Sequence, residues 1–280
     1  MIASKGNTAH FAIEAEHLNL TLGGKQLLDN FSLKIASGEF TALLGPNGAG
    51  KSSLLKVLCG EQDAGGKVTV FGRELKDVKP IVLAKHLGVL PQHSSLSFSF
   101  TVQEVIELGC LPLQLSNAQT KAIATEKMKL VGVHSLKNQL YTTLSGGEKQ
   151  RVHFSRVLTQ LSQADEQCIL MLDEPTSALD IAHQHQTLQV AREIAKSGGA
   201  VIVVLHDLNL AAQYADRLVI INEGKIQADG NPWEALTRKI ISHVYGWPVN
   251  ISKHPTDDYP VIIPESSPVK GTLECEINKF

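Results

Sequence analysis

The sequence predicts an α/β fold: a mostly parallel sheet, an antiparallel strand layer on its N-terminal side, and an inserted helical block. Three observations carry this expectation. Short apolar runs alternate with runs of helical spacing along most of the chain. A glycine-rich stretch, Gly45 to Ser52, separates the apolar run Phe40–Leu44 from the helix-compatible run Ser53–Cys59. From Thr101 to about Gln163 helical spacing takes over and the alternation stops.

Taken in order, residues 11 to 44 read as a meander of antiparallel strands. Its short runs are Phe11–Ile13, Leu18–Leu22, Gln26–Leu28 and Phe31–Ile35, with turns at Gly23-Gly24 and Ser37-Gly38. Phe40–Leu44 is a buried strand. Gly65-Gly66 turns into Lys67–Phe71, a further strand of the first layer. Val82–His86 is helix-compatible, and Leu87–Leu90 is a buried strand running into Pro91-Gln92. The helical block holds Val102–Leu108, Asn117–Val131 and Gly146–Leu161. Cys168–Leu172 resumes the parallel sheet as a fully apolar strand. Then come helix Ile181–Ala195, strand Ala200–Leu205, helix Leu208–Ala215, strand Arg217–Ile221, and Lys225–Ala228 after the Glu223-Gly224 turn. Beyond Pro248 the chain is polar and carries Pro255, Pro260, Pro264 and Pro268, which predicts a loosely packed or partly disordered tail. The expected division is one domain over 1–248, with an α/β part at 1–92 and 164–248, a helical subdomain at 93–163, and a tail at 249–280.

Composition narrows the function. A net charge of −2 over 280 residues supplies no global basic field for nucleic acid, and no run of five basic residues occurs. Cys59, Cys110, Cys168 and Cys275 are far apart and form no C-x-x-C pair, which fits reduced, mostly core thiols. The first eight residues lack an apolar region of the secretory kind. The most apolar run, Ala200–Leu205, falls far short of the roughly twenty residues a bilayer requires. Any spanning helices are therefore expected on another chain.

The glycine-rich stretch is Gly45, Pro46, Asn47, Gly48, Ala49, Gly50, Lys51 and Ser52, the pattern G-x-x-x-x-G-K-S in strand–loop–helix context, with Ser53 directly behind it. Glycines let successive N–H groups turn inward on an anion, and the helix start adds its positive dipole end. Lys51 is expected on the β- and γ-phosphates and the Ser52 hydroxyl on a magnesium ion, as in a P-loop NTPase core. Asp173 and Glu174 stand where an apolar strand ends, the edge at which such sheets bind ligands. Asp173 is the candidate for the metal and Glu174 for polarising the attacking water. His206 ends another apolar strand and could donate to the γ-phosphate, while Gln92 could reach the metal or the water. A second helix start, Ser145, Gly146, Gly147 and Glu148, offers another anion cradle. One triphosphate does not need two, but two copies placed head to tail would use both.

With these motifs in place, the chain resembles an ABC-transporter ATPase subunit, from about Glu14 to Trp247. Gly45–Ser52 resembles the phosphate loop, Gln92 the glutamine loop and Leu144–Glu148 the signature. Asp173 and Glu174 resemble the magnesium aspartate and catalytic glutamate, Ser177–Asp180 the dimer-contact loop, and His206 the switch histidine. The resemblance implies an ABC ATPase cassette that binds ATP and Mg2+. It implies a homodimer working with membrane permease subunits and, indirectly, a periplasmic binding protein, at the cytoplasmic face of the inner membrane. One departure is Leu22, where the family places an aromatic on adenine; base stacking is expected to be weaker.

Within the family the chain is similar to importers of iron-siderophores, cobalamin and haem. The likeness to haemin importers rests on Ser97–Thr101, Leu179–Gln184 and Pro260–Pro264. Siderophore and cobalamin importers stand as the alternative. A DNA-repair or translation ATPase fits less well: repair members carry a very long insertion where roughly ninety residues separate Lys51 from Ser145, and translation members usually join two cassettes. A small-molecule kinase would share only the phosphate loop. His183 and His185 lie two apart on a predicted helix, so they do not share a face for a ligand. In the segment Ser94–Phe100, Leu96, Phe98 and Phe100 alternate with serines. If extended, they form one apolar face, either buried or offered to a permease helix.

Overall fold

The structure is a computed structural model that describes residues 11–92 and 98–266. The start of the chain, the serines and leucine at 94–97, and Cys275 lie outside the described residues. Two sheets are stacked. The first pairs β1 (Phe11–Leu22), β2 (Lys25–Ala36), β4 (Gly65–Val70) and β5 (Arg73–Glu74) in the antiparallel order β2-β1-β4-β5. The second takes β3 (Phe40–Leu44), β6 (Leu87–Leu90), β7 (Ile169–Asp173), β8 (Ala200–Val204), β9 (Arg217–Asn222) and β10 (Lys225–Gly230) in the order β10-β9-β3-β8-β7-β6. Only β10 runs antiparallel to its neighbour in this sheet.

The short runs read at the N-terminal side are parts of two twelve-residue strands. What the sequence presents as breaks are bulges. His17 and Asn30 take positive φ, 54° and 46°, and their side chains hydrogen-bond across the pair at 2.8 Å. The ladder therefore kinks without ending.

All five residues of β3, β7 and β8 are buried, as expected of strands covered on both faces. Alternation divides them. Leu43, Ile169, Met171 and Ile202 face the antiparallel layer and α1 (Lys51–Leu58). Phe40, Ala42, Leu44, Leu170, Leu172, Val201 and Val203 face the helices on the other side. Those helices include α6 (Ile181–Lys196) and α7 (Leu208–Tyr214).

After α2 (Pro80–Leu83) and β6, the chain leaves for the helical block, with α3 (Val102–Glu107), α4 (Asn117–Leu130) and α5 (Gly146–Gln160) close to the expected positions. Each begins with a full capping box, at Thr101, Ser116 and Ser145. The block is pinned to the sheet through α5. Gln160 Nε2 donates to the carbonyls of Ala84 and Leu87, and a Cβ on Gly88 would come within 2.7 Å of Val157. Inside the block Tyr141 and His153 are buried and meet at 2.8 Å.

The expectation of a loosely packed tail does not hold for residues 249–264. Following α8 (Pro232–Ala235) and α9 (Arg238–Tyr245), β11 (Val249–Lys253) and β12 (Pro260–Pro264) pair as an antiparallel hairpin. Val249 and Ile262 are buried against the main core. The prolines that suggested disorder bracket β12 at both ends, where a missing N–H costs an edge strand little. Phe98 is 68% exposed and meets half-buried Phe100 edge to face at 6.1 Å, so of this pair only Phe100 packs on the core. Cys110 and Cys168 are buried thiols, and burial pushes Cys168 up to about 11.

Candidate nucleotide site

The adjacent strands β3, β8, β7 and β6 deliver their carboxyl ends to one edge of the parallel sheet. Gly45 follows β3, His206 lies two residues past β8, Asp173 ends β7, and Gln92 lies two past β6. The expectation that the His206 strand neighbours the Asp173 strand is met, with Asp173 opposite Val204.

The loop before α1 is shaped by close approach. A Cβ on Gly45 would come within 2.0 Å of the Ile221 carbonyl oxygen, and one on Gly50 within 2.6 Å of the Leu27 carbonyl oxygen. Gly50 caps the helix in the left-handed region, and its first turn has neither a side-chain cap nor an acidic residue. That leaves the positive end of the helix aimed at the loop. Lys51 is buried, and its Nζ donates to the Gly45 and Pro46 carbonyls at 2.7 and 2.9 Å. Burial lowers the Lys51 ammonium from its usual range, against the pull of Glu174 and Asp173.

Ser52 Oγ donates to Asp173 Oδ1 at 3.1 Å, so two of the three residues read as metal ligands stand side by side. Burial pushes the Asp173 carboxyl above its ordinary value, opposed by the Ser52 hydrogen bond. Glu174 takes a positive φ of 51°, uncommon for a residue with a side chain. Each of its carboxylate oxygens has a partner: Gln92 Nε2 at 2.7 Å and His206 Nε2 at 2.5 Å. Two sequence-read side chains, each from its own strand end, thus converge on the carboxylate of a third.

The second helix start is not joined to this cluster by any hydrogen bond among the described residues. It sits behind it. Gln150 Nε2 donates to the Glu174 carbonyl at 3.1 Å, and a Cβ on Gly147 would come within 2.8 Å of the Ala178 carbonyl oxygen. Ser145 is exposed, and its Oγ and N–H both donate to the Glu148 carboxylate, at 2.7 and 2.8 Å. That bond holds Glu148 below the usual carboxylate range. His183 and His185 have separate partners, the Asp180 carboxylate and the Tyr214 hydroxyl, which leaves no shared ligand face. Leu22 is 43% exposed at the end of β1.

Two contacts were not legible from motifs. Lys25 Nζ donates to the Gly48 carbonyl. Gln150 lies just past the second helix start, and its position one turn into α5 was the available signal. Burial pushes the hydroxyl of Tyr245, at the end of α9, up to about 12.

A sequence profile for the ABC transporter family matches residues 28–177. The chain is 69% identical over 252 residues to the haemin import ATP-binding protein HmuV of Photobacterium profundum, covering 90% of this chain and 91% of that one. It is 54% identical to the HmuV of Vibrio cholerae, with 90% and 98% covered. Among solved structures it is similar to a metal-chelate type ABC transporter in an inward-facing conformation, with a TM-score of 0.75 at 22% identity, covering 91% of this chain and 98% of that one. It is also similar to a dimeric ATP-binding cassette in a post-hydrolysis state bound to ADP and Pi, with a TM-score of 0.69 at 25% identity, covering 78% and 98%.

Proposed function

This chain belongs to the ABC transporter family, and on that footing we propose that it hydrolyses ATP to drive haemin import through a separate membrane permease. The observation that carries the chemistry is Glu174 held between Gln92 and His206, beside the Ser52–Asp173 pair. Gly45, Pro46, Asn47, Gly48, Ala49, Gly50, Lys51, Ser52 and Ser53 hold the phosphates, with loop N–H groups and the Lys51 ammonium facing them. Lys51 must exchange its two loop carbonyls for phosphate oxygens.

The hydroxyl of Ser52, the carboxylate of Asp173 and the amide oxygen of Gln92 are hard oxygen donors, few in number, and fit a magnesium ion shared with phosphates. When bound, that ion neutralises charge building on the β- and γ-phosphates. Asp173 is better placed for it than for proton transfer, being buried and paired with Ser52. Glu174 accepts the proton of the attacking water once one of its two partners lets go. His206 is the partner that gains by leaving, since a γ-phosphate oxygen offers its N–H a stronger acceptor.

The exposed start Ser145–Glu148 has no phosphate in its own chain to meet, which supports a head-to-tail homodimer. The α/β part at 1–92 and 164–248 then holds the nucleotide, and 93–163 presents the signature. No helix among the described residues is long and apolar enough to cross a membrane. We place the chain at the cytoplasmic face of the inner membrane, against permease subunits served by a periplasmic binding protein. The haemin assignment rests on the identity to the HmuV proteins, because the transported molecule need not touch this chain.

The test is to reconstitute the chain with the permease subunits of a haemin importer and measure ATP hydrolysis with haemin, cobalamin or a ferric siderophore. Stimulation by haemin supports the proposal; stimulation by only one of the others overturns the substrate. Phe98→Asp is expected to leave ATP binding intact while loosening the assembly with the permease, read by co-purification. Normal assembly and transport in that variant would remove Phe98 from the interface.

A further inference from the structure

The backbone of Glu174 is held from three sides. Its N–H donates to the carbonyl of Val204, the last residue of β8, at 3.2 Å. Its carbonyl accepts from Ser177 Oγ in the same turn and from Gln150 Nε2 on α5, both at 3.1 Å. Glu174 needs such support. Its φ of 51° lies in the left-handed region, and a residue with a side chain stays there only where its surroundings over-determine it. The Val204 and Ser177 bonds come from the sheet edge and from the turn itself. Gln150 is the anchor that comes from the helical block.

α5 meets this turn at a second point. At Gly147 a Cβ would come within 2.8 Å of the Ala178 carbonyl oxygen, so a larger residue there would push the helix start off the turn. α6 holds the far side of the turn, where Gln184 Nε2 donates to the Thr176 and Leu179 carbonyls at 3.2 and 3.0 Å. The Gln150 amide is used unevenly in its contact. Its Nε2 is bonded, while its Oε1 is buried and has no hydrogen-bond partner among the described residues. A buried oxygen of that kind costs stability. A methionine would fill the same space without it, so for stability alone the amide is a poor choice. Local rules of this sort are broken where function needs the group.

We propose that Gln150 is a positioning residue for ATP hydrolysis: its amide fixes the Glu174 backbone so that the carboxylate stays where Gln92 and His206 meet it. Gln150 does not touch the reacting atoms and acts through the residue it holds. A left-handed residue that loses a backbone anchor relaxes by turning a peptide plane, which swings its side chain away. Lys51, Ser52 and Asp173 do not depend on that anchor and keep their places. Loss of the Nε2 bond should therefore slow the chemical step and leave nucleotide binding alone.

This proposal rests on the ATPase reading above, and wild-type turnover in the same assay separates the two. The full chain is assayed for MgATP hydrolysis, ATP-dependent dimerisation and melting temperature. Gln150→Met keeps the length and volume of the side chain and removes both the donor and the unpaired oxygen. It is expected to lower kcat about three- to tenfold, the scale of one lost hydrogen bond. KM and dimerisation should not change, and the melting temperature should be no lower than that of the wild type. In a Glu174→Gln background the same substitution should change residual turnover by less than about twofold, because Gln150 acts through that carboxylate. Should Gln150→Met fail to fold, Gln150→Leu carries the same test. An unchanged kcat overturns the proposal and leaves Gln150 a packing residue. A raised KM or lost dimerisation at unchanged kcat would assign Gln150 to the helix start at Ser145, and the proposal falls. A lower melting temperature with an equal further loss of turnover in the Glu174→Gln background would show a merely structural role. Wild-type chain inert toward MgATP would overturn the ATPase reading and this proposal together.

Discussion

The two helix starts that the sequence marks for anions are built in opposite ways. The start of α1 has a left-handed glycine as its cap, no side-chain cap and no acidic residue in its first turn. The start of α5 has a serine cap, a complete capping box, and a glutamate whose carboxylate takes both the Ser145 N–H and hydroxyl. The first leaves its donors to a ligand. The second satisfies its donors itself and keeps a negative charge where a phosphate would come. A helix start of the second kind is stable alone and accepts a phosphate only by exchanging Glu148 for it. On the proposed head-to-tail arrangement, the first start is complete within one chain and the second waits for another copy to bring the phosphate.

The largest effect is expected at the first start, where the chemistry sits. Glu174→Gln keeps the shape and the Gln92 and His206 neighbours but removes the base. Hydrolysis should fall about a hundred- to ten-thousandfold, the usual worth of a positioned general base. ATP binding and closure of the second start on its partner should survive, so the variant accumulates as an ATP-bound dimer by size-exclusion chromatography. Near-normal turnover would break the distinction between a site for chemistry and a site for closure.

A smaller effect sharpens the same comparison by splitting the starts between chains. Lys51→Ala damages the first start and Ser145→Ala the second. Each alone should weaken nucleotide-driven dimerisation by roughly ten- to hundredfold, the scale of losing one hydrogen bond to a charged group. Mixed together, the two variants form heterodimers with one intact composite site and one doubly damaged site. Partial recovery of ATP-dependent dimer in the mixture is the expected result. No recovery at any mixing ratio would mean that both starts serve one chain.

How much of this was legible in the sequence follows from what a pattern can record. The loop Gly45–Ser52, the Asp173-Glu174 pair, Gln92 and His206 stand at strand ends, and a strand end is visible wherever an apolar run stops. The parallel sheet was legible because its strands are apolar on both faces. The bulged strands were not: His17 and Asn30 are polar residues in a solvated layer, and a bulge looks like a turn until its partner strand is known. The C-terminal hairpin was hidden for a related reason. Its stability comes from Ile262 and Val249 reaching a distant core and from Asn209 meeting it across the fold, none of which leaves a local period.

Protonation gives a milder test of whether the helical block carrying the second start is as rigid as the sheet edge. His153 lies on α5 beside Tyr141, and burial holds its imidazole down to about 4, against about 6.5 in an unfolded chain. Between those values the unfolded chain binds a proton that the folded one refuses, so stability falls as pH drops from about 6.5 to about 4 and then levels off. The loss cannot exceed about tenfold in the unfolding constant per pH unit for one group. Denaturant midpoints recorded across that window should flatten in His153→Gln. Parallel pH slopes in the two proteins would show that α5 opens enough for the imidazole to be solvated before the block unfolds.

The smallest effect separates the second start from an ordinary helix cap. α4 begins with the same device as α5: Ser116 accepts from the Gln119 N–H, and Gln119 returns the bond to Ser116. Both serines are exposed, so Ser116→Ala and Ser145→Ala should each cost about 1 kcal/mol of stability. If capping were all that Ser145 does, the two variants would be indistinguishable in every assay. The proposed phosphate-accepting role adds a term that only Ser145 carries, because of the two helices only α5 lies against the Ala178 backbone at Gly147 and the Glu174 backbone at Gln150. Equal melting shifts with ATP-dependent dimerisation lost in Ser145→Ala alone is therefore the expected pattern. Equal shifts with dimerisation intact in both would reduce the second start to a cap, and the head-to-tail arrangement would lose its reason.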